Sequence, residues 1–346
     1  MVREEMNKPE ELANSGTDGA ELVLAADLGG TNLRAATIDA SGRIHERVKV
    51  CTPRAERPDE IVRAIIGLTR ELESRGAGSS SRIRAISVVV PGTVQVEKGI
   101  VTRAPNVPAL DGFRLAAALT GELRWPAVIE NDANAAAVGE MWQGAGRGCR
   151  TLVCVTLGTG VGGGLILDGK LWRGIDGSAG EIGHMTVEPF GAPCGCGNRG
   201  CLEVYASATA IVRMTREADS RYSASPLHAN DKLTAEAIYR SGLDGDELAL
   251  EVFRRMGTYL GIGLAGLVNV LNPELIVIGG GVAAGWDLFI EHVREQIMER
   301  AFPIPARRAQ LSRAERGDDA GLLGAAYIAF TRQQADSKDE RDHDEG

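Results

Sequence analysis

Residues 22–39 read LVLAADLGGTNLRAATID. An apolar run, Leu22–Ala26, enters the glycine turn Asp27-Leu28-Gly29-Gly30-Thr31-Asn32, and a second β-like run, Leu33–Ile38, leaves it. A third run, Ile44–Val50, follows the turn at Asp39–Gly42. Strand, turn, strand, turn, strand predicts an antiparallel start to a sheet. Ile61, Val62, Ile65, Leu68 and Leu72 then recur at helical spacing. Ile83–Val90, closed by Pro91-Gly92, is a further strand, Leu115–Leu119 a short helix, Ala127–Glu130 a strand, and Ala133–Met141 an alanine-rich helix. Alternating strands and helices predict an α/β protein. The antiparallel opening predicts a mixed sheet rather than a purely parallel one.

The pattern then recurs. Leu152–Leu157 is a strand, Gly158-Thr159-Gly160 a turn, and Gly164–Leu167 a strand closed by Asp168-Gly169. A long glycine-punctuated helix over 246–271, a strand at Leu275–Ile278, the triplet Gly279-Gly280-Gly281 and helices over 286–300 and 319–333 complete the chain. Two similar halves predict two α/β domains. Residues 22–134 plus 319–333 form the smaller N-terminal domain, and 135–318 the larger C-terminal one. Residues 1–21 are expected as a flexible leader. Residues 334–346 are mostly charged and are expected as a disordered acidic tail.

Composition narrows the function. Among 346 residues, Lys+Arg 38 against Asp+Glu 47 leaves a net charge of −9. A field of that sign repels phosphate backbones, so no nucleic-acid partner is expected. Aromatics, at 4%, are too few for a base-stacking surface. No apolar run is long enough to span a membrane. The polar N-terminus lacks the apolar core of a signal peptide. The chain is therefore expected in the cytoplasm, where cysteines are thiols or metal ligands before they are disulfides. Glycine, 44 residues, is nearly twice its usual ~7%, which points to tight backbone turns.

Three such turns are candidate phosphate sites. In Asp27–Asn32, Gly29 and Gly30 let the backbone approach a phosphate, Thr31 and Asn32 add donors, and Asp27 can face a hydrated Mg²⁺. A plain hairpin turn is the competing reading. In Leu157–Gly164, Gly158, Gly160 and Gly163 spell G-x-G-x-x-G after a strand. A dinucleotide site would need a helix next, and a strand follows instead. A second phosphate hairpin with Thr159 and Gly160 as donors fits better. At the third, Gly280 and Gly281 open a helix and can seat an adenosine or a phosphate; close strand–helix packing explains them as well.

His184, Cys194, Cys196 and Cys201 form H-x9-C-x-C-x4-C in a glycine-rich segment without helical or strand period. One imidazole and three thiolates complete a tetrahedral Zn²⁺ shell with no open position, so a structural zinc is expected. Cys51, Cys149 and Cys154 lie in or beside apolar strands and read as core thiols. Glu181 and Glu203 flank the cluster. Asp132 stands where a strand ends and a helix begins, a place for ligands in open α/β sheets, and equally a place for a helix cap.

Taken together, DLGGTNLRAATID (27–39), VVPGTV (89–94), APNVP (104–108), ENDANAAAVGE (130–140), LGTGVGGGLILDG (157–169), EIGHMTVEP (181–189) and CGCGNRGCLEVYAS (194–207), with the glycine triplet at 279–281, resemble the ROK family of sugar kinases and sugar-responsive repressors. The resemblance covers about residues 22–330, and the EIGH and CGCGNRGC pair is its most specific part. It implies two RNase H-like domains of the actin-like ATPase superfamily, with mixed sheets around a central cleft. It also implies ATP-dependent phosphorylation of a hexose, with glucose and its 6-hydroxyl the nearest match. N-acetylglucosamine, N-acetylmannosamine and fructose kinases share nearly all these residues. Asp132 matches the family's general base. Gly92, Asn106, Asn131, Glu181, His184 and Glu203 match its sugar-binding residues. Thr31, Asn32, Thr159 and Gly160 match its nucleotide-phosphate donors. ATP is expected over polyphosphate as donor, because a polyanion favours a basic groove. A homodimer or homotetramer is implied. Family repressors place a DNA-binding domain before the first hairpin; the residues before Asp27 show no helix–turn–helix pattern, so a kinase is expected over a regulator.

Overall fold

A computed structural model describes residues 21–76, 82–218 and 220–344. The expected leader lies outside the described residues except for Glu21, which opens the first strand. The described chain divides into two compact units. One comprises residues within Met1–Gln143, Arg173–Ser178 and Asp318–Gly346, the other Gly144–Trp172 and Ala179–Gly317.

The first unit begins with β1 (Glu21–Leu28), β2 (Asn32–Asp39) and β3 (Ile44–Cys51), then α1 (Pro58–Gly76), β4 (Arg82–Val90), the short pair β5 (Thr93–Gln95) and β6 (Ile100–Arg103), α2 (Leu115–Leu123), β7 (Ala127–Asn131) and α3 (Asp132–Gln143). Its sheet has the order β3-β2-β1-β4-β7. The first three strands are antiparallel, and β4 and β7 run parallel to β1. Central β1 is buried on both faces, which is why it reads as an unbroken apolar run. Leu24, Ala26 and Leu28 pack with α1 and α2 residues such as Ile61, Ile65, Leu72 and Leu115. Val23 and Ala25 face the other side, with Ala135 of α3.

The second unit contains β8 (Leu152–Leu157), β9 (Val161–Leu167), β10 (Lys170–Leu171), α4 (Glu203–Ala206), α5 (Ala208–Arg216), α6 (Ala235–Leu243), α7 (Glu247–Leu271), β11 (Leu275–Gly279), α8 (Trp286–Arg300), α9 (Pro303–Arg308) and β12 (Gln310–Arg313). Its sheet, β10-β9-β8-β11-β12, repeats the first in order and sense. The recurrence of strand, glycine turn and strand in the sequence is thus a recurrence of topology. Asp246 caps α7 by accepting from Ala249 N at 2.8 Å, and Asn272, in the left-handed region at φ 46°, ends it. Along α7, Val252, Phe253, Met256, Leu260, Leu264 and Val268 form one buried stripe.

The last helix, α10 (Ala320–Asp344), returns to the first unit and lies along α3. Their backbones touch at Gly324: a Cβ there would lie 1.8 Å from the Ala135 carbonyl oxygen, so only glycine permits the approach.

The structure departs from the sequence reading in three places. The division falls after Gln143 rather than after residue 134, because α3 is one unbroken helix; residues 173–178 also join the first unit. The tail expected to be disordered from 334 is helical backbone to Asp344. Its Gln, Lys, Glu and Arg residues are good helix formers and extend a helix already started. Of the three expected core thiols only Cys154 is buried; Cys51 is exposed at the end of edge strand β3, and Cys149 is half-buried.

Candidate active site

At the end of β7 the chain turns into α3 through Asn131 and Asp132. Asn131 is the residue that caps the helix: its Oδ1 accepts from Asn134 N at 2.9 Å. Its Nδ2 donates to the Gly92 carbonyl at 2.8 Å and to Asp132 Oδ1 at 3.1 Å. Asp132 Oδ1 also accepts from Ala133 N at 2.8 Å. The cap position, which sequence alone left open for Asp132, belongs to its neighbour. Asp132 is exposed at the first helical residue, where the helix dipole favours a carboxylate. Gly92 is held by its backbone: φ is 124°, and a Cβ would lie 2.0 Å from the Arg103 carbonyl oxygen. Its carbonyl positions Asn131.

Beneath this turn lies Glu130, fully buried. Arg173 Nε donates to its Oε2 at 2.7 Å, and its Oε1 accepts from Asn131 N at 3.0 Å and Asn134 Nδ2 at 3.1 Å. Neither Glu130 nor Arg173 stood out in the sequence. Glu130 was one residue of an apolar strand end, and its cation lies far along the chain.

The first hairpin is closed by Gly29 N donating to Asn32 O at 2.9 Å, and braced by Thr52 Oγ1 donating to Gly29 O at 2.6 Å. Gly30 lies against Asn106, whose Cβ would be 3.1 Å from a Cβ at residue 30. Gly30, Thr31 and Asn106 are exposed, and Asn32 is half-buried. Asp27, at the end of β1, is buried and ion-paired with Arg34, which also reaches Asp318 at 3.1 Å. Burial pushes the Asp27 carboxyl above the usual carboxylate range against the opposing pull of Arg34.

In the second unit, a cavity of about 520 Å³ is lined by Gly158 and Thr159 of the hairpin turn, Gly281 and Val282 after β11, and Glu236 and Tyr239 of α6. The structure therefore brings the second and third glycine turns to one pocket, at the carboxyl ends of β8 and β11. Gly281 faces it. Gly280, at φ 85°, presses instead on the Leu157 carbonyl and serves the backbone turn. The α6 wall was missed by sequence reading, since nothing marks an amphipathic helix as lining a pocket. Beside Gly160, Glu203 Oε2 accepts from Val161 N at 3.1 Å.

The ligand atoms of His184, Cys194, Cys196 and Cys201 all lie within 4.8 Å of one another. His184 Nδ1 is 3.7 Å from Cys194 Sγ, and Cys196 and Cys201 Sγ are 3.7 Å apart. The other ring nitrogen, Nε2, is 3.9 Å from Glu181 Oε2. Burial and the neighbouring thiols push Cys201 up to about 12, while hydrogen bonds, the Asn198 backbone first, lower Cys196. Three sulfurs this close cannot all ionise unless a cation takes up their charge. The donor set and spacing fit a tetrahedral metal.

The ROK family model matches residues 23–332. The glucokinase of Halalkalibacterium halodurans is 37% identical over 319 residues, covering 91% of this chain and 96% of the relative. A ROK family glucokinase from Streptomyces griseus, solved with glucose and AMPPNP, superposes with a TM-score of 0.74 at 35% identity, covering 89% of this chain and 98% of that one. A ROK family transcriptional regulator, a homologue of the Escherichia coli Mlc protein, gives a TM-score of 0.81 at 28% identity, over 89% of this chain and 78% of that one.

Proposed function

Because the chain belongs to the ROK family, we infer that it is an ATP-dependent glucokinase, transferring the γ-phosphoryl group to the 6-hydroxyl of glucose. The observation that carries the assignment of the base is local. Asn131, not Asp132, caps α3, and two donors hold the Asp132 carboxylate through Oδ1 at the strand end. As the hydroxyl oxygen forms its bond to the γ-phosphorus and the bond to the β-phosphate oxygen breaks, Asp132 takes the hydroxyl proton. Asn131 and Asn106 are assigned to sugar binding; Gly92 acts through the carbonyl that holds Asn131. Glu181, His184 and Glu203 are assigned to sugar binding on the same family resemblance.

The cavity bounded by Thr159, Gly281 and α6 takes the nucleotide, with Thr159 and Gly160 donating to phosphate; Gly29, Gly30, Thr31 and Asn32 of the first hairpin are the other assigned phosphate donors. Mg²⁺, when bound with ATP, neutralises the phosphates. Asp27 is read as facing its water shell, although one of its oxygens is engaged by Arg34. His184 Nδ1 and the thiolates of Cys194, Cys196 and Cys201 would hold a structural Zn²⁺. Nε2, on the Glu181 side, would then be left to donate to sugar, and the metal would be structural. Light scattering tests the implied homodimer or homotetramer.

The test is a panel of glucose, N-acetylglucosamine, N-acetylmannosamine and fructose with ATP or polyphosphate, read by sugar-phosphate formed. Glucose with ATP should give the highest kcat/KM. No turnover of any sugar, with sugar-dependent retention of DNA in a gel shift, would favour the regulator reading that the Mlc homologue raises.

A further inference from the structure

Resting on the reading of Asp132 as the base, we propose that Arg173 is a positioning residue for phosphoryl transfer, acting through Glu130 and Asn131. The contacts are continuous. The Arg173 guanidinium holds one oxygen of Glu130 at 2.7 Å. The other oxygen receives the Asn131 backbone N–H and the Asn134 side-chain amide. Asn131 then caps α3, ties down the Gly92 carbonyl and donates to Asp132. Every link bears on the orientation of the turn that presents the base.

The geometry at Arg173 is that of a built contact. Its segment, Arg173–Ser178, packs in the first unit although second-unit residues flank it in sequence. A second anchor seats the same segment: a Cβ on Gly177 would lie 2.3 Å from the Val94 carbonyl oxygen. The Glu130 side chain is 0% exposed. A buried carboxylate stripped of its ion-pair partner is poorly compensated, and a change of its rotamer would alter what Asn131 N–H meets. Arg173 therefore sets the aim of Glu130.

The experiment uses the full-length enzyme with glucose and ATP in a coupled ADP assay, with melting temperatures measured in parallel. Arg173→Met should lower kcat 10- to 100-fold and leave KM for ATP within twofold. Arg173→Lys keeps the charge without the planar fork and should regain part of that loss. The neutral pair Arg173→Met with Glu130→Gln removes the uncompensated charge, yet keeps an oxygen to receive Asn131 N–H. It should melt within a few degrees of wild type and still turn over at least fivefold more slowly. A folded Arg173→Met enzyme with kcat within twofold of wild type overturns the proposal. So does a fully active neutral pair, because Arg173 would then compensate a charge and position nothing; the pair decides if Arg173→Met does not fold. A wild-type enzyme that phosphorylates no sugar is a different outcome: it overturns the kinase reading beneath the proposal.

Discussion

Replacing Asp132 by asparagine exchanges one carboxylate oxygen for an amide nitrogen at the first residue of α3. The amide oxygen can keep both observed donors, Ala133 N at 2.8 Å and Asn131 Nδ2 at 3.1 Å. The cap on Asn134 N comes from Asn131 and is untouched. Among the contacts described, the loss is that of a negative charge at a helix N-terminus, about 0.3–1 kcal/mol. For a domain of this size that is a fall in Tm of about 4 °C at most. Catalysis should suffer far more. A positioned base contributes about 10²–10⁴ in rate, which at 1.36 kcal/mol per tenfold is about 2.7–5.5 kcal/mol of barrier. The assay is kcat at saturating glucose and ATP, with glucose Kd by calorimetry and Tm by scanning fluorimetry. The expected result is kcat down at least a hundredfold, Kd within threefold and Tm nearly unchanged. A kcat within tenfold of wild type refutes the base; a large fall in Tm refutes the division of labour between Asn131 and Asp132.

Metal analysis of the purified protein should find one zinc per chain; Cys201→Ser should lose it and raise KM for glucose while far-UV circular dichroism stays near wild type, whereas a zinc-free, fully active enzyme would remove the metal from the account. Ala235→Phe, on the α6 wall of the 520 Å³ cavity, should raise KM for ATP at least tenfold and leave glucose Kd unchanged; an unchanged KM would place the nucleotide elsewhere. Glu274 accepts from Arg150 N at 2.6 Å and Thr151 N at 3.0 Å, and these backbone donors, Thr151 first, hold its carboxyl below its ordinary 4.5. Because the folded value is depressed, its stabilisation is present above the ordinary value and is lost as the pH falls through the depressed one. Glu274→Gln should therefore melt below wild type at pH 7, with the gap closing in acid; a gap independent of pH would refute the linkage.

Much of this protein could be read from its chain because the relevant physics is local. A glycine turn between two apolar runs makes a hairpin whatever surrounds it, so β1–β2 and β8–β9 were legible. One histidine and three cysteines at short spacing can hardly avoid meeting, and their ligand atoms do lie within 4.8 Å of one another. The strand-to-helix passage at Asp132 follows from the switch of hydrophobic period. Other features needed the tertiary structure. Asn131 and Asp132 are adjacent and both good caps, and only the observed register assigns the cap to Asn131. The unit boundary fell within α3 on the sequence reading because no local signal separates one half of an alanine-rich helix from the other; packing against α10 makes it one piece. The 520 Å³ cavity has walls from the turns after β8 and β11 and from α6, and an amphipathic helix does not announce what its exposed end will face. Glu130 meets Arg173 across 43 residues, and neither residue type nor spacing marks the pair. Backbone propensity and hydrophobic period act over a few residues. A buried charge finds its partner only when the whole chain has closed around it.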